Sequence, residues 1–400
     1  MTLRAALRAF GLAAGLAAGS GRAAAPEPTI ADAMSALQTL QVQMAQGDKA
    51  AYSAQQERLR AIGAAIAAAK PETWKDKTQT DAAIAYVLSG GEPRVIARLL
   101  ELGAVPKSEE PLMRGGLAYA AGRAREAEAL LGDLDAKKTS LRLAGQLAFA
   151  QSVLKTGKDS KRAVALLDLA RLLAPGSLVE EAALRREILL VGDQRDGDRA
   201  AFLARQYVSR FGHSIYADNF IEGLATTTAR FGLCDDVASL QKFVALLALV
   251  TPAQRRGFLM TLAREQTLNG KFEVAGAAAH EALQYAASAA DEALATLLEA
   301  AAKISGADYE GGLEALKSVD RSKLARPDQE LLGAVSFAAE HMHDPPSEAA
   351  FARAARESPQ SDATPKPDGA DGASIAETIK QAEGLLQRSA ALGRSVEAIR

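Results

Sequence analysis

Residues 162–186 read RAVALLDLARLLAPGSLVEEAALRR, and this stretch decides the fold of the chain. Ala163, Leu166, Ala170 and Leu173 recur at helical spacing and form one apolar stripe. Pro175-Gly176 then ends the helix, because proline has no N–H to donate and disfavours helical geometry in the residue before it. Ser177 restarts it, and Glu180 three residues later predicts a capping box in which each side chain satisfies an orphaned backbone N–H. A helix, a two-residue turn and a capped helix make the junction of a helical hairpin.

The unit recurs along the chain. A turn with glycine, followed by an alanine- or leucine-rich helix, sits at Gly91, Gly122, Gly157, Gly192, Gly232, Gly270 and Gly306, with successive gaps of 31, 35, 35, 40, 38 and 36 residues. Tetratricopeptide (TPR) repeats have a period of about 34, and longer helical-pair repeats run to roughly 40–47. Leu117-Ala118-Tyr119, Gly122 and Glu126-Ala127 follow the small, aromatic, glycine, alanine order of such repeats, as do Leu262-Ala263, Gly270, Phe272 and Ala275. The expected fold is all-α, a TPR-like solenoid of helical hairpins. A composition 48% hydrophobic but only 5% aromatic suits it, since alanine and leucine permit close helix–helix approach.

Outward from this centre, the ends read differently. Residues 1–25 carry Arg4 and Arg8, a short apolar run from Phe10 to Ala18, and Ala23-Ala24-Ala25, which predict a cleaved signal peptide. The run is too short for the ~20 residues of a spanning helix, no later segment is long enough, and export to a bacterial periplasm is expected. Residues 26–80 predict two N-terminal capping helices, from Ile30 to Gln46 and from Ala50 to Ala69, with Gln38, Gln41, Gln43, Gln55 and Gln56 on an outer face. Trp74, the single tryptophan, is expected to seal this cap. Residues 81–355 are the repeats, and Thr251-Pro252-Ala253-Gln254 predicts another capped start. Residues 356–374, rich in proline and without a large apolar side chain, predict a disordered linker. Residues 375–400 regain an apolar stripe through Ile375, Ile379, Ala382 and Leu386 and predict a C-terminal amphipathic helix.

Loss of the leader's three arginines takes the formal charge from −2 to −5, and no basic stripe with interleaved aromatics occurs, which argues against nucleic acid. Cys234, the single cysteine, cannot form an internal disulfide and predicts a buried thiol. No phosphate-binding loop, nucleophile elbow or zinc-protease motif is present. His341 and His343 stand two residues apart and diverge on a helix, so no metal site is expected, and none is expected at Asp193, Asp196 and Asp198, whose spacing lacks a calcium loop's order. Glu180-Glu181 also diverge, which leaves no acid–base pair. Neither an enzyme nor a cofactor is expected. The residues best suited to gripping a partner are Arg185 and Arg186, with Tyr216 and Asn219, against the alternative that they are surface ion pairs and hairpin packing.

In Leu37-Gln38-Thr39-Leu40-Gln41, in 85–93 (AYVLSGGEP), in 116–123 (GLAYAAGR) and above all in 170–187 (ARLLAPGSLVEEAALRRE), the chain resembles the MotC family of periplasmic motility proteins of alphaproteobacteria. Arg210-Phe211 and Ser214-Ile215-Tyr216-Ala217 follow in the same order, and the likeness covers roughly residues 30 to 310. The resemblance implies an exported, non-enzymatic protein needed for flagellar rotation that binds the periplasmic part of the stator protein MotB. Two other readings stand beside it. One is a TPR-like periplasmic adaptor for envelope or cell-wall assembly. The other, an enzyme of the lytic-transglycosylase kind, would need a catalytic domain for which the residues after Ala355 leave no room.

Overall fold

The computed structural model describes residues 28–306 and 308–342. The signal peptide expected at 1–25, the linker at 356–374, the helix at 375–400, His343 and the end of the stretch 81–355 lie outside the described residues. The chain divides into two units, 1–339 and 340–400, and the packing described is that of the first.

Among the described residues there are seventeen α-helices and no strand. They are α1 (Ile30–Ala45), α2 (Lys49–Ala68), α3 (Lys77–Leu88), α4 (Pro93–Glu101), α5 (Glu110–Ala120), α6 (Ala124–Leu131), α7 (Leu141–Lys155), α8 (Ser160–Leu173) and α9 (Leu178–Asp193). Then follow α10 (Gly197–Phe211), α11 (Ala217–Arg230), α12 (Val237–Leu247), α13 (Pro252–Leu268), α14 (Phe272–Leu283), α15 (Ala289–Ser305), α16 (Tyr309–Ser318) and α17 (Arg326–His341). None is long and apolar enough to cross a membrane.

The quoted stretch forms α8, a tight turn and α9. Ala163, Leu166 and Ala170 are buried as the stripe requires. The Ser177 hydroxyl accepts from the N–H groups of Val179 and Glu180, a cap that contributes about 1 kcal/mol. The capping box expected with Glu180 does not close. Glu180 Oε2 instead accepts from the N–H of Gly176 at 2.6 Å and from Arg210 Nη2 at 2.7 Å. The carboxylate still takes a local backbone donor, one residue before the expected one, and also reaches a cation thirty residues away on α10. At Thr251 the box does close, with Gln254 reaching back to the Thr251 N–H at 3.0 Å.

Part of the glycine ladder marks helix ends. At Gly122 (φ +73°) and Gly270 (φ +71°) the left-handed backbone lets the next N–H reach back: Arg123 to the Ala118 carbonyl and Lys271 to that of Gln266, both at 2.8 Å. This is a Schellman stop, where a Cβ would be strained. Gly192 has another purpose. It lies inside α9 where Phe231 packs, and Arg195 (φ +58°) makes the turn three residues later. Pro327 sits in the first turn of α17, and the break between α14 and α15 is marked by Ser288, whose hydroxyl accepts from the Asp291 N–H.

Consecutive helices pack on one another from α7 to α9 and from α13 to α16, and α13 also touches α15. One apolar core is built from α1 through α8 and reaches Ala183, and a second begins at Leu184 and runs to Leu298. Adjacent residues of α9 thus face different cores, which makes α9 a shared wall. Helix α1 is shared as well, because Met34 and Leu37 lie in the first core and Ala45 in the second. It packs on α2, α3 and α9, and its last turn meets the chain after α10, where the Ile215 N–H donates to the Met44 carbonyl at 3.2 Å. This placement corrects the outer face expected for its glutamines. Gln41 is buried, and Gln38 donates to the Arg142 carbonyl at 2.9 Å. Trp74 is fully buried in the 3₁₀ turn Pro71–Lys75, between α2 and α3.

Candidate functional site

Arg185 and Arg186 are consecutive on α9 and therefore leave the helix about 100° apart. Arg185 extends toward α11, where its guanidinium carbon lies 5.2 Å from the Tyr216 ring centroid. Arg186 extends toward the end of α7 and donates from Nη2 to the Thr156 hydroxyl at 3.3 Å. The structure thus brings Arg185 and Tyr216 together, sets Asn219 exposed three residues further along α11, and places Arg186 elsewhere. Neither arginine makes an ion pair with Glu180 or Glu181. The two carboxylates point apart, Glu180 to Arg210 and Glu181 to the Tyr207 hydroxyl, which donates at 3.0 Å.

Around Arg185 the groups interlock. Glu181 is fully buried, and burial pushes its carboxyl above the ordinary range against the pull of Ser214, Arg185 and Tyr207. Burial, then the neighbouring Tyr52 and Glu181, raise the Tyr216 phenol as well. Phe220 is part of this packing, its ring 4.2 Å from that of Tyr207. The cluster fastens α9, α10 and α11 together, and Asn219, beside it on α11, is exposed.

Arg186 stands at a different feature. Along α7, Arg142, Gln146, Phe149, Ala150 and Val153 fall at steps of three and four and form one stripe that lines three hollows in turn. The first, of 250 Å³, is bounded by Gln38, Gln41, Arg142 and Gln146 beside the Pro175 turn. The second, of 190 Å³, shares Gln41, Gln146 and Val179 with it and adds Tyr119 and Phe149. The third, of 710 Å³, shares Leu88 and Tyr119 with the second and ends at Thr156 and Lys158. Together they make a groove along one helix. Its floor is apolar and its polar groups are carboxamides, hydroxyls and cations. Tyr119 forms part of the wall, and burial raises its phenol while Arg186 beside it acts the other way. Gly145, which borders the first hollow, lets α7 approach the end of α8 closely, since a Cβ there would collide with Ala174 before the turn.

Sequence reasoning did not find this groove, because its walls come from residues as far apart as Gln38 and Val179. Nor did it find the charged cluster across α8, α9 and α10. Glu187, fully buried, accepts from Arg171 at 2.8 Å and from Arg199 at 2.7 Å, and both arginines also reach Asp168. Burial pushes the Glu187 carboxyl up; the two arginines oppose it and Asp168 reinforces it. This is a helix clamp. Among the described residues no group of three or more histidine, cysteine or acidic side chains is placed to hold a metal ion. His280 lies beside Glu299, and Asp196 of the expected charged turn caps α10 through the Arg199 N–H.

Comparison with known proteins completes the picture. The family model described as chemotaxis protein MotC matches residues 1–397. The chemotaxis protein MotC of Rhizobium meliloti (strain 1021) is 29% identical over 347 residues, covering 85% of this chain and 78% of that protein. No solved structure matches.

Proposed function

This chain belongs to the MotC family, and from that premise we propose that it is a periplasmic binding protein that permits flagellar motor rotation by holding the periplasmic part of the stator protein MotB. Family membership supports a motility- or chemotaxis-related role. The observation that carries the reading is the family match across residues 1–397, which includes both cores and the α7 groove. The helical pairs are read as a TPR-like solenoid, with residues 26–80 as its N-terminal capping helices and 81–355 as its repeats. Such an array stabilises itself by contacts between neighbours and leaves its flanks free for a partner. No cofactor enters this role, and the protein is read as a binder and not an enzyme.

The test is copurification. The mature chain, mixed with the exported segment of MotB, should elute with it as one complex. Separate elution at micromolar concentrations of both would contradict the reading.

A further inference from the structure

The α7 groove has the dimensions and chemistry of a peptide site. From Arg142 to Thr156 the helix rises about 21 Å at 1.5 Å per residue. An extended chain advances about 3.3 Å per residue, so about six residues span the groove. Its floor offers the apolar side chains of Phe149, Ala150 and Val153. At its middle, Gln146 is 8% exposed and donates from Nε2 to the Ser89 hydroxyl at 2.7 Å, while its Oε1 is buried with no hydrogen-bond partner. A buried carboxamide oxygen without a donor costs roughly 1–3 kcal/mol. A backbone N–H of a chain laid along the groove is the donor it lacks. Gln41, also buried, stands across the same two hollows with a second carboxamide.

The charges select the occupant. Arg142 binds the Ser35 hydroxyl and Arg186 the Thr156 hydroxyl, and neither has a carboxylate within ion-pair distance among the described residues. Arg186 Nε is buried without an acceptor. The lysines at the far end differ, since Lys155 and Lys158 are both held by Glu128. Two arginines with unused donors, spaced along an apolar floor, complement carboxylates on the occupant.

We propose that the α7 groove binds an extended, acidic segment of a partner protein, of about six residues, whose backbone is met by Gln146 and Gln41 and whose carboxylates are met by Arg186 and Arg142. The proposal refines the reading of this chain as a binding protein and assigns the surface that grips.

The probe is an array of six-residue peptides in matched pairs, one carrying glutamate and the other lysine at the same positions between apolar residues. The wild-type chain should retain glutamate members over their lysine partners. Arg186→Glu should abolish or invert that preference, and Gln146→Leu should weaken retention about tenfold across the acidic set. Unchanged urea midpoints would show that both variants fold. Equal retention of the paired peptides by the wild type, or an unaltered preference in Arg186→Glu, would overturn the groove assignment. Copurification with the MotB segment is scored separately. A complex that survives both substitutions would remove the groove and leave the proposed function standing, whereas a selective groove without that complex would do the reverse.

Discussion

Arg171 Nη1 lies 2.8 Å from Glu187 Oε2, and this bond joins the two helices on either side of the Pro175-Gly176 turn. Glu187 is fully enclosed while Arg171 keeps 16% of its side-chain surface in water. Removing one member of such a pair leaves a buried charge without compensation, at a cost of roughly 3–5 kcal/mol. Arg199 still reaches Glu187 and reduces that loss. Arg171→Met is expected to destabilise the chain by about 3 kcal/mol in urea unfolding. Arg199→Met, at the partner with 40% exposure, is expected to cost about 1 kcal/mol. Equal effects would show that burial does not set the strength of the clamp.

The Glu181 carboxyl is raised above its ordinary value of 4.5 by burial, so the folded chain holds this proton more tightly than the unfolded one. Its contribution to stability is greatest below pH 4.5 and is lost as the pH rises through the folded value. Glu181→Gln keeps an oxygen for the Tyr207 hydroxyl and removes the titration. The difference in urea midpoint between wild type and Glu181→Gln should therefore move against the wild type as the pH rises above 4.5. Parallel pH profiles would contradict the assignment.

Two glycines separate backbone strain from collision. A Cβ on Gly270 meets nothing within 4 Å, so Gly270→Ala pays only for its left-handed backbone, about 1 kcal/mol. Gly145→Ala drives a methyl into Ala174 and should cost about 2 kcal/mol. It should also impair binding in the groove, whose first hollow it borders, whereas Gly270→Ala should leave binding unchanged. Urea midpoints and the peptide array read the two effects independently.

The Cys234 thiol is fully buried, and burial, with Asp236 and Asp235 nearby, pushes its pKa up to about 12. A thiolate being the reactive form, a maleimide reagent at neutral pH should leave the native protein unmodified and label it only as it unfolds. Rapid stoichiometric labelling of the native chain would show that the second core opens locally at α13, where Gln266 holds the Cys234 carbonyl.

What the sequence disclosed is local. The stripe of Ala163, Leu166 and Ala170, the Ser177 cap, the closed box at Thr251 and the stop at Gly122 all depend on residues within about two helical turns of each other. Glu180 shows where that reach ends. Its spacing from Ser177 fits a capping box, yet its carboxylate takes the N–H of Gly176 instead and is shared with Arg210 from another helix. Gly192 likewise carries the signature of a turn but is small because Phe231 packs there. Among the partner-binding residues, adjacency in sequence concealed that Arg185 is committed to Tyr216 while Arg186 stands at the groove. The groove itself depends on Gln38 meeting Arg142 across 104 positions, which no periodicity encodes.

The role proposed for this chain is to permit rotation of the motor, with no part in building it. The most direct measurement is rotation of tethered cells from which the gene has been deleted, with filaments counted on the same cells. Flagella in normal number that do not rotate, with rotation restored by the wild-type chain, are the predicted result. Rotation at the parental speed in the deletion strain would contradict it.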